Sequence, residues 1–92
     1  MVSAMKFETT HVFREHWFSL GIESTTGCHF LSIPVSVRIA DYTEYYKISE
    51  AYYRSFSDDP RSAISFADQC RRQEHDDLLF IPPPPTNRGT AI

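Results

Sequence analysis

The chain has 92 residues, of which 41% are hydrophobic, 14% aromatic and 23% charged, and it carries only 3 Gly and 2 Cys. This composition is that of one small globular domain, and it excludes a collagen, a flexible linker, a disulfide framework and a charge-dominated disordered tail. The formal charge of −3 argues against nucleic-acid binding, which needs a basic face, and suits a basic protein partner.

The first half of the chain predicts two β-strands joined by a tight turn. Residues 18–23 alternate apolar and polar side chains, and residues 29–39 do so over a longer run. Between them, residues 24–27 end in a glycine suited to positive φ and predict a hairpin turn. Pro34 cannot donate a ladder hydrogen bond, so we expect the second strand to lie at an edge or to bulge there. Residues 11–17 are less regular and are interpreted as an arm that extends the first strand.

The next segment, residues 41–48, is compatible with a strand or with a helix. Its tyrosines, threonine and isoleucine favour a strand, whereas Asp41 followed by Glu44 resembles a helical capping box. We prefer the strand, because a separate helix-start signal follows at once at Ser49.

Two short helices are predicted after this segment. Ser49 is the expected N-cap of the first helix. Asp59 is the expected N-cap of the second helix, which covers roughly residues 60–74 and has Pro60 in its first position. The second helix collects apolar side chains on one face, namely Ala63, Phe66, Ala67 and Cys70.

The predicted fold class is α+β: an antiparallel meander of about three strands, two helices packed on one face, and a short C-terminal strand. The apolar run at residues 78–81 is either that final strand or a plug in the core. Four prolines at residues 82–85 predict an extended polyproline segment. We therefore expect one domain over residues 1–81 and a proline-rich tail over residues 82–92 that is strapped to it.

The cysteine content and the absence of long apolar runs predict a cytoplasmic protein. Cys28 and Cys70 are the only cysteines, which suits a reducing compartment, although a single disulfide between them stays open. Cys70 lies on the apolar helix face and is expected to be a buried, inert thiol. No run approaches a signal peptide or the ~20 apolar residues of a membrane span, so no membrane partner is expected.

The sequence carries no recognisable catalytic signature, such as a Walker loop, GxSxG, HExxH or paired CxxC. Its densest polar cluster is His75, Asp76 and Asp77, which has the donor types for a divalent metal or a general base. No second cluster lies at metal-ligand spacing, so we interpret these residues as a solvated acidic turn and predict no cofactor.

A group of tyrosines is the most distinctive feature, with five of them within residues 42–53 among acidic residues. Tyrosine rings supply contact area, their hydroxyls form hydrogen bonds, and neighbouring carboxylates pair with lysine or arginine on a partner. We expect Tyr46 and Tyr52 to serve the core. The predicted partner-binding residues are Asp41, Tyr42, Glu44, Tyr45, Glu50 and Tyr53.

From residue 41 to its end, the chain resembles a group of small bacterial proteins to which no activity is attached. The residues that carry the resemblance are the Asp-Tyr-x-Glu-Tyr-Tyr run at 41–46, Ile48-Ser49, Tyr53, Phe56, Asp59-Pro60, Phe66, Cys70-Arg71-Arg72, the run from His75 to Leu79, and Asn87-Arg88-Gly89-Thr90. The resemblance implies a bacterial origin and a compact fold that includes the tail.

Together these features predict a non-enzymatic protein-binding module. More specifically, its small size and acidic balance suggest an immunity or antitoxin-type inhibitor that occludes a basic toxin or enzyme. Two alternatives stay open: a small metal-binding or hydrolytic protein that uses the 75–77 cluster, and a homodimeric structural or regulatory subunit that pairs edge strands.

Overall fold

The structure is a computed structural model that describes residues 5–36, 41–81 and 90–91. Within these ranges the elements are β1 (Phe7–Phe13), β2 (Phe18–Glu23), β3 (Cys28–Ser36), β4 (Asp41–Ile48), α1 (Glu50–Asp58), α2 (Ile64–Arg71) and β5 (Thr90–Ala91). The first four strands form an antiparallel meander in the order β1-β2-β3-β4, and β5 pairs with β3. The predicted α+β class is confirmed, with four consecutive strands where about three were expected.

The additional strand is β1, which the sequence pattern had merged with β2. A 3₁₀ turn over Arg14–His16 and a left-handed Trp17, with φ of 58°, reverse the chain between the two strands. The pairing of β1 with β2 shifts register between Thr9 and His11, so Thr10 is a bulge residue. A bulge inserts one extra residue into a strand, so the side chains that face the core are shifted by one position after it. The alternation of β1 is therefore broken in the sequence, and its period is hidden.

The β2–β3 hairpin forms as predicted. Gly27 has a φ of 75° and donates its N–H to the carbonyl of Glu23 at 2.8 Å. Pro34 lies where the neighbour of β3 changes, because β2 pairs as far as Ser32 and β5 begins opposite Val35. A residue without an N–H is best tolerated at such an interruption. The last part of the predicted strand, residues 37–39, lies outside the described residues.

Residues 41–48 form strand β4, as preferred from the sequence. Helix α1 begins with Ser49, whose hydroxyl accepts the Tyr52 N–H at 3.0 Å. Asp59 accepts the Arg61 N–H at 3.2 Å and starts a 3₁₀ turn over Pro60–Ala63, which continues into α2. The predicted second helix is thus split into a tight turn and an α-helix. It ends at Arg71, earlier than residue 74.

The core lies between one face of the sheet and the two helices. Its buried members are Phe18, Leu20, Leu31, Ile33, Val35, Tyr46, Ile48, Phe56, Ala63, Ala67 and Cys70. The predicted stripe on α2 is among them, with Phe66 packed at its margin. Leu78 and Leu79 also pack against this cluster, and Leu79 forms an isolated bridge with Tyr46. Leu78 and Leu79 therefore form a plug that closes the core beside β4, whereas Ile81 is exposed. Residues 82–89, with the four prolines, lie outside the described residues.

Candidate functional site

The predicted partner-binding residues do not share one surface. Side chains alternate along a strand, so Tyr42 and Glu44 lie on the helix-covered face of β4 whereas Tyr45 lies on the opposite face. Glu50 is exposed in the first turn of α1, where it pairs with Arg54. The side chain of Asp41 lies outside what the structure describes.

Glu44 serves the interior of the protein in this structure. It is only 6% exposed. Its carboxylate accepts the hydroxyl of Tyr42 at 3.0 Å and the hydroxyl of Tyr46 at 2.7 Å. The Tyr46 hydroxyl also lies 3.2 Å from the carbonyl oxygen of Cys70. This carboxylate and the two rings therefore connect β4 to α2.

The structure reverses the environments expected for Tyr52 and Tyr53: the first was expected in the core and the second on the binding surface. Tyr52, expected in the core, is 52% exposed and stacks on Phe56 with ring centroids 5.3 Å apart. Tyr53 is half-buried, its ring lies 4.5 Å from that of His29, and its hydroxyl is 2.6 Å from Oγ1 of Thr10. One residue along a helix rotates the side chain by about 100°, so the neighbour turns inward and anchors α1 to the bulge in β1.

Of the predicted cluster at residues 75–77, His75 is engaged with helix α2. The ring of His75 stacks on Phe66 at 4.6 Å, and its Nε2 lies 2.6 Å from Oε1 of Gln69. Asp76 and Asp77 occupy the short 3₁₀ turn that follows, and Asp77 is exposed. Among the described residues, no group of three His, Cys, Asp or Glu side chains is arranged to hold a metal ion. The described geometry therefore supplies no ligand set for the metal-binding alternative.

Both cysteines are free thiols. Burial raises the pKa of the Cys70 thiol to about 12, with smaller effects from nearby charges. At neutral pH this thiol is protonated, and the thiolate that a nucleophile requires is not formed. Cys70 is thus a packing residue, as its place on the apolar face of α2 suggested.

A buried carboxylate that sequence reasoning missed lies at the end of β2. The alternation of residues 18–23 predicts Glu23 on the polar face of the strand, yet it is fully buried. It accepts the backbone N–H of Lys6 at 2.8 Å and those of Thr25 and Thr26 at 3.1 Å each. The hydroxyls of both threonines donate to it as well. These hydrogen bonds, led by the two hydroxyls, lower the pKa of Glu23 to about 2.

Glu23 ties the β2–β3 turn to the start of β1, and it should make the stability of the fold depend on pH. Its pKa falls from 4.5 to about 2 on folding, so its contribution is complete above pH 4.5 and disappears as pH falls towards 2. We expect Glu23→Gln to lower the melting temperature by several degrees at pH 7. The gap to the unmodified protein should shrink steadily below pH 4.5. Thermal unfolding at a series of pH values measures this, and a gap that stays constant down to pH 2 contradicts it.

The face of the sheet opposite the helices carries a groove. One row of paired residues crosses all four strands of the meander: Val12, Ser19, Ser32 and Tyr45. The two serines on the central strands are small, so the outer side chains stand above them as walls. Three strand spacings separate these walls by ~14 Å between backbones. The groove has a volume of about 430 Å³.

An aromatic cluster stands at the Tyr45 side of the groove. The Tyr45 ring stacks on Phe7 with centroids 3.8 Å apart and meets Phe30 edge-on at 5.0 Å. Phe80 crosses the edge of β4, donates its N–H to the Tyr45 carbonyl at 3.0 Å and packs on Phe7. Packing on the side away from the groove therefore holds Tyr45 in place. Within the described structure, Tyr45 is the only predicted partner-binding residue found on this face of the sheet.

The opposite side of the groove carries Trp17, which is 55% exposed next to Val12, which is 59% exposed. Helix α2 stabilises the turn that carries Trp17 through hydrogen bonds from Arg71. Arg71 donates to the carbonyl oxygens of His16 at 2.7 Å and Trp17 at 2.8 Å, and it also pairs with Asp68 at 2.8 Å. Sequence reasoning missed this site, because Arg71 is far along the chain. The available signal was a lone tryptophan in an irregular segment.

Comparison with known proteins found no match: no protein-family model, no curated protein and no solved structure matches the chain. The resemblance of residues 41–92 to small bacterial proteins therefore stays a prediction. Within the described ranges, neither α-helix is long and apolar enough to cross a membrane.

Proposed function

We propose that this chain is a non-enzymatic protein-binding module that binds its partner through the groove on the open face of the sheet. The observation that carries the proposal is the pair Trp17 and Val12, both more than half exposed beside a groove on the face that α1 and α2 leave free. Exposed apolar side chains grouped around a concavity are typical of interaction sites. Tryptophan, tyrosine and arginine are the residue types that dominate binding energy at interfaces.

The way Trp17 is held supports the same proposal. The Arg71 guanidinium bonds two successive carbonyl groups of its turn, so the backbone that carries the ring is fixed before any partner arrives. A turn whose backbone is already ordered loses less conformational entropy on binding than a mobile one. The opposite wall, Tyr45, is supported by its stacking on Phe7.

The finer proposal is an immunity or antitoxin-type inhibitor that occludes a toxin or another basic enzyme. The net charge of −3 supports it, because an acidic inhibitor is steered towards a basic target. Glu50 adds an exposed carboxylate on α1. In this proposal the charge speeds the encounter, and the groove supplies the contact.

Trp17→Ala should weaken partner binding by roughly 30-fold, which is the effect of losing a hot-spot aromatic residue. The matched control is Tyr52→Ala, because Tyr52 is 52% exposed but lies on α1, away from the groove. We expect the control to change the affinity less than twofold. The measurement is co-expression with the product of the neighbouring gene, followed by titration of the purified proteins. The absence of a complex, or equal effects of the two substitutions, contradicts the proposal.

A second candidate function is a homodimer that pairs edge strands. The observation in its favour is that β1 ends the strand order of the described sheet, and Glu8, Thr9, Thr10 and Val12 are exposed along it. An exposed edge strand is a template for another strand, although the bulge at Thr10 makes this edge irregular. Light scattering that finds a monomer removes this candidate.

A further inference from the structure

We infer that the groove accepts an extended segment of the partner in which an apolar side chain stands close to a carboxylate. This inference rests on the proposed function and specifies what the groove recognises. Its three supports are an arginine that forms no ion pair within the described structure, the neutral character of the other described lining residues, and the width of the groove.

Arg14 is the one charged side chain among the described residues that line the groove. It is exposed, and it takes part in none of the ion pairs of the described structure, which join Arg54, Arg71 and Arg72 to acidic neighbours. A guanidinium matches the geometry of a carboxylate with two parallel hydrogen bonds. The groove therefore has an unused anion-binding group at its rim.

Among the described residues, the rest of the lining carries no charge. The polar side chains of this remainder end in hydroxyl groups, from Thr9, Ser19, Ser32, Thr43 and Tyr45. Within the described lining, a carboxylate that enters meets the cation Arg14 and no like charge, whereas a lysine side chain meets the repulsion of Arg14. Charge complementarity therefore favours an acidic group on the occupant, even though the whole chain is acidic.

Arg14 and Trp17 belong to one short turn, which fixes the spacing of the groups they recognise. The Trp17 N–H donates to the Arg14 carbonyl at 3.3 Å and closes this turn. The carboxylate opposite Arg14 and the apolar side chain against Trp17 must therefore stand within a few residues of each other in the occupant.

The width of the groove favours an extended backbone over a helix. The walls formed by Val12 and Tyr45 rise from strands ~14 Å apart, and their own atoms reduce the free space to roughly 10 Å. A helix with its side chains needs ~10–12 Å. An extended or polyproline-like segment fits between two walls that carry the aromatic side chains Trp17 and Tyr45, and proline-rich peptides are recognised in aromatic-lined grooves.

The test uses a set of acetylated and amidated eight-residue peptides with one leucine and one aspartate, one to three residues apart in a Pro/Ser background. Each has a counterpart with asparagine in place of aspartate. Trp17 is the only tryptophan of the chain, so its fluorescence reports occupation of the groove. We expect at least one aspartate peptide to bind saturably and its asparagine counterpart to bind about fivefold more weakly.

Arg14→Gln should remove that preference and make the two peptides bind equally. The matched control is Arg61→Gln, because Arg61 is an exposed arginine in the 3₁₀ turn before α2 and does not line the groove. It should leave the fivefold ratio unchanged. The ratio should also decrease with rising salt, since the pair at the rim is screened.

Three results overturn the inference. The first is that the Trp17 fluorescence does not respond to any aspartate peptide. The second is that the aspartate and asparagine peptides bind equally. The third is that a small apolar acid such as isovalerate binds as tightly as the peptides. The same substitutions in the partner complex separate this inference from the proposed function. If Trp17→Ala weakens the complex and Arg14→Gln does not, the inference fails and the protein-binding function stands. If neither substitution weakens it, both fail.

Discussion

Gly21→Ala should destabilise the protein by about 3 kcal/mol, at the upper end of the cost of overpacking a close contact. Gly21 lies on the open face of β2, opposite Thr9 and Phe30 in the two neighbouring strands. A Cβ at this position would overlap the carbonyl oxygen of Glu8 and the ring of Phe30. Neither neighbour can move freely, because the oxygen belongs to the β1 backbone and the Phe30 ring is fully buried.

Chemical denaturation of the two proteins measures this difference directly. The matched control is Gly27→Ala in the β2–β3 turn, where φ is 75° but no atom lies within 4 Å of the added Cβ. That substitution carries only the backbone strain of a left-handed alanine, about 1 kcal/mol. Equal losses for the two variants would show that steric overlap at Gly21 is not the reason for glycine there.

Tyr46→Phe should cost about 2 kcal/mol, because it leaves a buried acidic group short of a donor. The ring of Tyr46 is fully buried and its hydroxyl donates to Glu44 at 2.7 Å, beside the Cys70 carbonyl oxygen at 3.2 Å. The phenylalanine ring fills the same space, so the loss measures the hydroxyl and not a cavity. Water has little access to replace the donor, since Glu44 is itself buried.

Tyr45→Phe is the matched control for this experiment. Tyr45 is the preceding residue of the same strand and is only half-buried, on the opposite face of the sheet. Removing its hydroxyl should change the free energy of unfolding by less than about 0.5 kcal/mol. If Tyr46→Phe is as mild as this control, the hydroxyl does not contribute the stabilisation that its contacts indicate.

The elements that could be predicted are those whose information is local. Strand β2 and most of β3 alternate apolar and polar side chains, Ser49 and Asp59 have the side chains that cap helices, and residue 27 is the glycine that a left-handed turn requires. Each of these signals needs only a few neighbouring residues. They were sufficient for the α+β class, the hairpin, the starts of both helical segments and the apolar stripe of α2.

The candidate site depends on contacts between distant parts of the chain. Its walls face each other only because four strands align in one register. Arg71 reaches the turn at Trp17 only after α2 has packed under the sheet. Alternation along β4 separates neighbouring tyrosines onto two faces, so a dense run in the sequence becomes two unrelated environments. Spacing along the chain carries no information about these distances.

By itself, then, the sequence determined a small acidic α+β domain with a strand meander and two helical segments that each begin at a capping residue, because period and capping are properties of adjacent residues. The tertiary structure alone decided the bulged strand β1, the burial of Glu23 and the groove with Trp17, since each depends on register and packing across the sheet. The aromatic residues of the chain are correspondingly divided between its interior and its surface. Tyr46 and Phe30 stabilise the interior, whereas Trp17 and Tyr45 line the surface on which the proposed function depends.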